Sequence, residues 1–140
     1  MEVSEVRRRL RSAIEQAKRR AAERRTRVDQ ASREYEQFLA AVAVPAMHTV
    51  AQALIGEGYR FKVQTPGQAV RLAAEFSPDD YLEISLDTDG DVPAVMVHTR
   101  HGRGRRSVET ERAITGRISE LTDEHVVTLL LEELIPLIER

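Results

Sequence analysis

Cysteine is missing from this chain of 140 residues, and its absence removes disulfides, thiol nucleophiles and thiolate metal ligands together. Any metal would have to be held by histidine and carboxylate, and a reducing compartment suits the chain. Aromatic residues are scarce, and none lies between His98 and Ile114. That argues against the base-stacking platforms with which proteins grip single-stranded nucleic acid. Lysine occurs only at Lys18 and Lys62, so nearly every cation is arginine. The N-terminal segment lacks the uncharged apolar core of a signal peptide, and no apolar run is expected to reach the roughly 18 residues of a membrane span. A cytoplasmic location without a membrane partner is the resulting expectation.

Catalytic signatures are lacking too. No serine sits in a GxSxG elbow, and His125 has no second histidine four residues away. The GRG at residues 102–104 is expected to join two strands rather than open a helix, which excludes a phosphate-binding loop. His98 and His101, three apart on a strand, point to opposite faces and are poor partners for one ion. His48 is expected as a partly buried structural histidine. The stretch DTDGDV, residues 87–92, looks like the start of a calcium loop, but Val92 and His98 stand where such a loop needs glycine and glutamate. Its Asp89-Gly90 pair predicts a two-residue hairpin turn with both central residues at positive φ. No catalytic residue, metal site or cofactor is assigned, and the chain reads as non-enzymatic.

What is present is a strong helical signal. Residues 3–43 contain no Gly or Pro and are rich in Ala, Arg, Glu and Gln, which predicts a long helix. Val3, Val6, Leu10, Ile14, Ala17, Ala21, Val28, Ala31, Tyr35 and Phe38 recur at steps that are mostly three or four, forming a coiled-coil-like seam that should pair with a second copy or another chain. Pro45 is expected to kink or restart the helix. Met47, Val50, Ala51, Leu54 and Ile55 then form an apolar face ending at Gly56, a suitable left-handed cap.

From residue 59 to about residue 114 the period changes to two. Five alternating segments near residues 59–65, 68–76, 81–87, 92–100 and 107–114 are separated by PG, SPDD, DTDGD and a Gly/Arg loop. Connections this short leave no room for crossover helices, so an antiparallel meander of four or five strands with one apolar face is expected. The last segment predicts a helix with Thr122 as N-cap and Asp123 and Glu124 in its first turn. It is apolar around most of its circumference and must be covered by the sheet and by a further element or subunit. The fold class is therefore α+β. A basic helical arm occupies residues 1–44, and a small globular domain with an apolar C-terminal helix packed on its sheet occupies residues 45–140.

Charge follows the same division. Residues 1–36 carry 11 cations against 7 acids, and the remainder carries 10 against 16. Four arginines, Arg100, Arg103, Arg105 and Arg106, gather with His98 and His101 around two glycines in HTRHGRGRRS. Such a loop can hold phosphates or an acidic protein surface, or it can be a solvated tip paired with Glu109 and Glu111. Two functional readings follow. The first is a non-enzymatic homo-oligomeric adaptor, expected to be a dimer, with a coiled-coil arm and a body that engages an unidentified protein partner. The second is a nucleic-acid-associated accessory protein that grips backbone phosphate non-specifically through the Arg-rich helix and residues 100–106.

Overall fold

A computed structural model describes residues 1–139. Helix α1, Val3–Phe38, runs through a π turn at Leu39–Ala43 into helix α2, Val44–Gly56. Strands β1 (Phe61–Gln64), β2 (Val70–Ala74), β3 (Tyr81–Asp87), β4 (Ala94–Arg103) and β5 (Arg106–Ala113) follow in turn. A short 3-10 turn, Ile118–Glu120, then leads to helix α3, Asp123–Ile138. The strands form one antiparallel sheet in sequence order, so the α+β meander and terminal helix are as the sequence predicts.

The helix does not break at Pro45. The Val44 N–H donates to the Leu39 carbonyl, one residue further back than in an α-helix. The physical reason lies in the spacing of buried side chains. Ala31, Tyr35 and Phe38 are buried before the turn, and Ala43, Ala46, Met47, Val50 and Ala51 after it. Phe38 to Ala43 is a step of five, about 100° beyond what an α-helical stripe allows, and a π turn absorbs one extra residue. The rod therefore keeps one side on the core throughout. Its end also differs from expectation. Gly58, not Gly56, takes positive φ, while its N–H bonds the Ile55 carbonyl and that of Tyr59 bonds the Leu54 carbonyl at 2.8 Å, a Schellman cap.

Residues 37–56 hold no Asp, Glu, Lys or Arg. By length and composition, helix Val3–Gly56 does contain a window able to cross a membrane, contrary to the sequence expectation, because alanine and uncharged polar residues interrupt the apolar run at little cost in hydropathy. A third of that window is buried within the chain as the floor of the core. His48 falls on its outward side and is exposed rather than partly buried.

The inner face of the sheet presents Phe61, Val70, Leu72, Ala74, Leu82, Ile84, Val95 and Val97, all buried. Helix α2 lies over β1 and β2, and α3 lies over β3 and β4, contributing Val126, Leu130, Leu134 and Leu137. Thr122 caps α3 by accepting from the His125 N–H, while the His125 ring returns a contact to the Thr122 N–H. The β3–β4 connection is not the two-residue turn predicted. Asp87 pairs with Ala94, leaving a six-residue loop with no residue at positive φ. The Asp87 carboxylate accepts the Asp89 N–H at 2.9 Å, which turns the chain locally, and Pro93 cannot donate to a ladder extended toward Gly90.

One buried side chain ties the rod to the sheet. The Tyr35 hydroxyl donates to the Gln68 carbonyl at 2.6 Å and lies 3.3 Å from that of Ile84. Burial, and then the charge of Glu83, push this phenol up to about 12. Because the folded chain holds the proton more tightly than the unfolded one, this stability is full below about pH 10 and is lost as pH rises through the folded value. Denaturant titrations across that range should show stability falling in the wild-type chain and falling less steeply in Tyr35→Phe. At neutral pH the variant should be less stable by about 1–3 kcal/mol, since the hydroxyl's hydrogen bonding to the Gln68 and Ile84 carbonyls is lost.

Candidate functional site

The tight turn belongs to the basic hairpin rather than the acidic loop. Arg103 pairs with Arg106, leaving Gly104 and Arg105 as a two-residue connection. Gly104 takes φ +64 while Arg105 does not go positive, the signature of a II′ turn. A glycine at the first central position is what this turn requires.

The six residues of the predicted anion site do not converge. His98 and Arg100 lie on the outer face of the sheet and are engaged there. The His98 ring is 3.0 Å from Glu111 and stacks on Tyr81, with centroids 5.8 Å apart. Arg100 is 3.6 Å from Glu109. Arg71 continues this outer row, with its guanidinium 4.1 Å from the Tyr81 ring centroid and 3.0 Å from Glu83. Glu111 thus engages His98, while the Arg100 Nε, close to Glu109, is buried with no hydrogen-bond partner among the described residues. Arg103, Arg105 and Arg106 are exposed and, among the described residues, have no carboxylate partner.

His101 faces the other way. It lines a cleft of about 440 Å³ with Gly102, Arg103, Gly104, Pro136 and Glu139, between the hairpin and the end of α3. Its Nδ1 is buried and has no hydrogen-bond partner among the described residues. Asp80, which sequence reading did not single out, is buried and accepts the Gly102 N–H at 2.9 Å. The SPDD context disguised it as a solvated turn residue. Replacing Asp80 by Ala should cost about 1–3 kcal/mol by chemical denaturation, because that partly buried donor loses its acceptor. Among the described residues no cluster of three or more metal-ligating side chains occurs.

The seam residues divide into two groups. Ala31, Tyr35 and Phe38 are buried against the body of their own chain, and Val28 is half-buried. Val3, Val6, Leu10, Ile14, Ala17 and Ala21 are exposed. The body first meets the helix at Arg24, whose Nη2 lies 3.3 Å from the Asp89 carbonyl and 3.5 Å from that of Thr88. Residues 3–21 thus project beyond the sheet for roughly 28 Å at 1.5 Å per residue.

Charge around this projecting stripe is ordered. At about 100° per residue, Arg7, Arg11, Lys18 and Arg25 line one flank of the seam, and Arg9, Arg20 and Arg27 line the other. Glu5, Glu15 and Glu23 fall on the far side. A second apolar stripe stays uncovered on α3, where Leu131 and Ile135 are 55% and 54% exposed. Glu124, Glu132 and Glu139 stand exposed along that helix, which has no Lys or Arg between Asp123 and Ile138. Compared with protein-family models, with curated proteins and with solved structures, the chain matches none.

Proposed function

We propose that this chain is a non-enzymatic interaction module that works as a homo-oligomer, a dimer, with the arm as its assembly element and the α+β body as the surface offered to a further protein. The observation that carries this reading is the uncovered apolar seam of residues 3–21 on a helix anchored only beyond Arg24. A single helix with such a stripe in water gains by covering it. The exposed Leu131 and Ile135 add a second apolar stripe that the chain itself leaves open.

Light scattering at tens of micromolar should give the mass of a dimer for the intact chain. Leu10→Asp combined with Ile14→Asp should reduce it to a monomer without loss of helical content by circular dichroism. A monomeric intact chain would overturn the reading.

One observation favours the second reading, a phosphate-gripping accessory protein. Arg103, Arg105 and Arg106 present three cations at a tight hairpin tip without a carboxylate partner among the described residues. If that tip holds backbone phosphate, affinity for a mixed-sequence duplex falls with salt at about 0.9 logarithmic units per contact. Replacing the three arginines by Ala should then flatten the salt dependence by about two to three contacts. An unchanged slope removes the hairpin from any such role.

A further inference from the structure

We infer that the arm of one copy seats on the exposed ridge of α3 in a second copy, and that two such contacts, exchanged reciprocally, build the dimer. This rests on the homo-oligomeric reading above and specifies its interface.

Arms do not suit one another. Both flanks of the seam carry cations, Arg11, Lys18 and Arg25 on one side and Arg20 and Arg27 on the other. In a two-helix pairing these are the positions that face the partner helix across the seam. Parallel pairing sets one flank against the other, and antiparallel pairing sets each flank against itself. Either way cation meets cation, a like-charge juxtaposition that disfavours the pair. The occupant that fits is an apolar ridge bordered by acids. Helix α3 supplies one, with Leu131 and Ile135 exposed, Glu124 and Glu139 beside them, Glu132 alongside in its pair with Arg112, and no cation within the helix.

The arm cannot reach the ridge of its own chain. Val3–Gly56 is one continuous helix, fixed to the sheet by Tyr35 and to the β3–β4 loop by Arg24, so folding back would require breaking it. Only another molecule can cover residues 3–21. Reciprocal exchange about a two-fold axis covers both arms and both ridges, and leaves no unmatched face to propagate a filament.

Charge reversal tests this directly in the full chain. The arm variant carries Arg11→Glu, Lys18→Glu and Arg25→Glu. The ridge variant carries Glu124→Arg, Thr128→Arg and Glu139→Arg, which leaves the Glu132 pair with Arg112 intact. Each alone should run as a monomer by light scattering, and an equimolar mixture should recover the dimer mass, since each acidic surface then meets a basic one. A ridge variant that stays dimeric overturns the arm-on-ridge contact while leaving the homo-oligomeric reading in place. A monomeric wild-type chain overturns both, and a raised 260/280 nm absorbance ratio in that monomer would identify nucleic acid as the occupant of the arm instead.

Should the ridge variant lose its circular dichroism, cross-linking decides. The chain has no cysteine. An Ile14→Cys chain mixed with a Leu131→Cys chain should give mainly mixed disulfide dimers on mild oxidation, read by mass spectrometry. Dimers between like chains only would overturn the inference.

Discussion

The hold of Tyr35 on the backbone of the β1–β2 turn and of strand β3 fixes where the long helix can go. A phenol at 1% exposure, donating to the Gln68 carbonyl beside the buried Ile84 carbonyl, is costly to move because its own hydroxyl would be left without an acceptor inside the core. With Phe38 packed beside it, the ring pins the middle of the rod to the sheet. Everything on the N-terminal side then points along one direction. The arm is in this sense a consequence of the core, since residues 3–21 are positioned by contacts that begin only at Arg24.

The π turn serves the same geometry from the other end. Had Pro45 broken the helix, α2 could have been reoriented freely and the arm would carry little information about the body. By absorbing one residue between Phe38 and Ala43, the chain keeps its buried side on the sheet for the whole span from Ala31 to Ala51. The result is a lever with a fixed hinge, and a fixed lever can present its apolar stripe to a second molecule in one orientation. A flexible tether would lose conformational entropy on docking that this helix has already lost on folding.

Much of the body was legible because period-two alternation is a local signal that burial on one face enforces. The five strands and the shared inward face of Leu82 and Ile84 follow from it, while the Thr122 cap follows from a separate local signal, an N-cap threonine ahead of two acids. What escaped were features decided by partners distant in sequence or by competing local bonds. Asp89-Gly90 is a good hairpin dipeptide, yet the Asp87 carboxylate captures the Asp89 N–H and Pro93 cannot extend the ladder, so a longer loop results. Conversely, Gly104-Arg105 sits within a basic loop whose charge draws the eye, although a first-position glycine is itself a tight-turn signal. The anion site divided for the reason that made His98 and His101 poor co-ligands. Alternation sends His98 and Arg100 to the acids of the outer face and His101 to the cleft beside α3, so a cluster in sequence is two surfaces in space.

The seam shows the opposite relation, a single stripe in sequence serving two purposes. Its C-terminal third closes the core of its own chain, and its N-terminal two thirds stay uncovered. Hydrophobic spacing alone cannot separate these uses, because the period is the same in both. The charges beside the stripe can. Near the core, Glu34 stands beside the stripe, whereas over residues 7–27 the flanks nearest the seam are basic on both sides. A homotypic zipper selects complementary flanks, and this stripe has uniform ones. The dimer we propose matches this stripe with a surface that is apolar and acidic, and α3 leaves such a surface open on the same polypeptide.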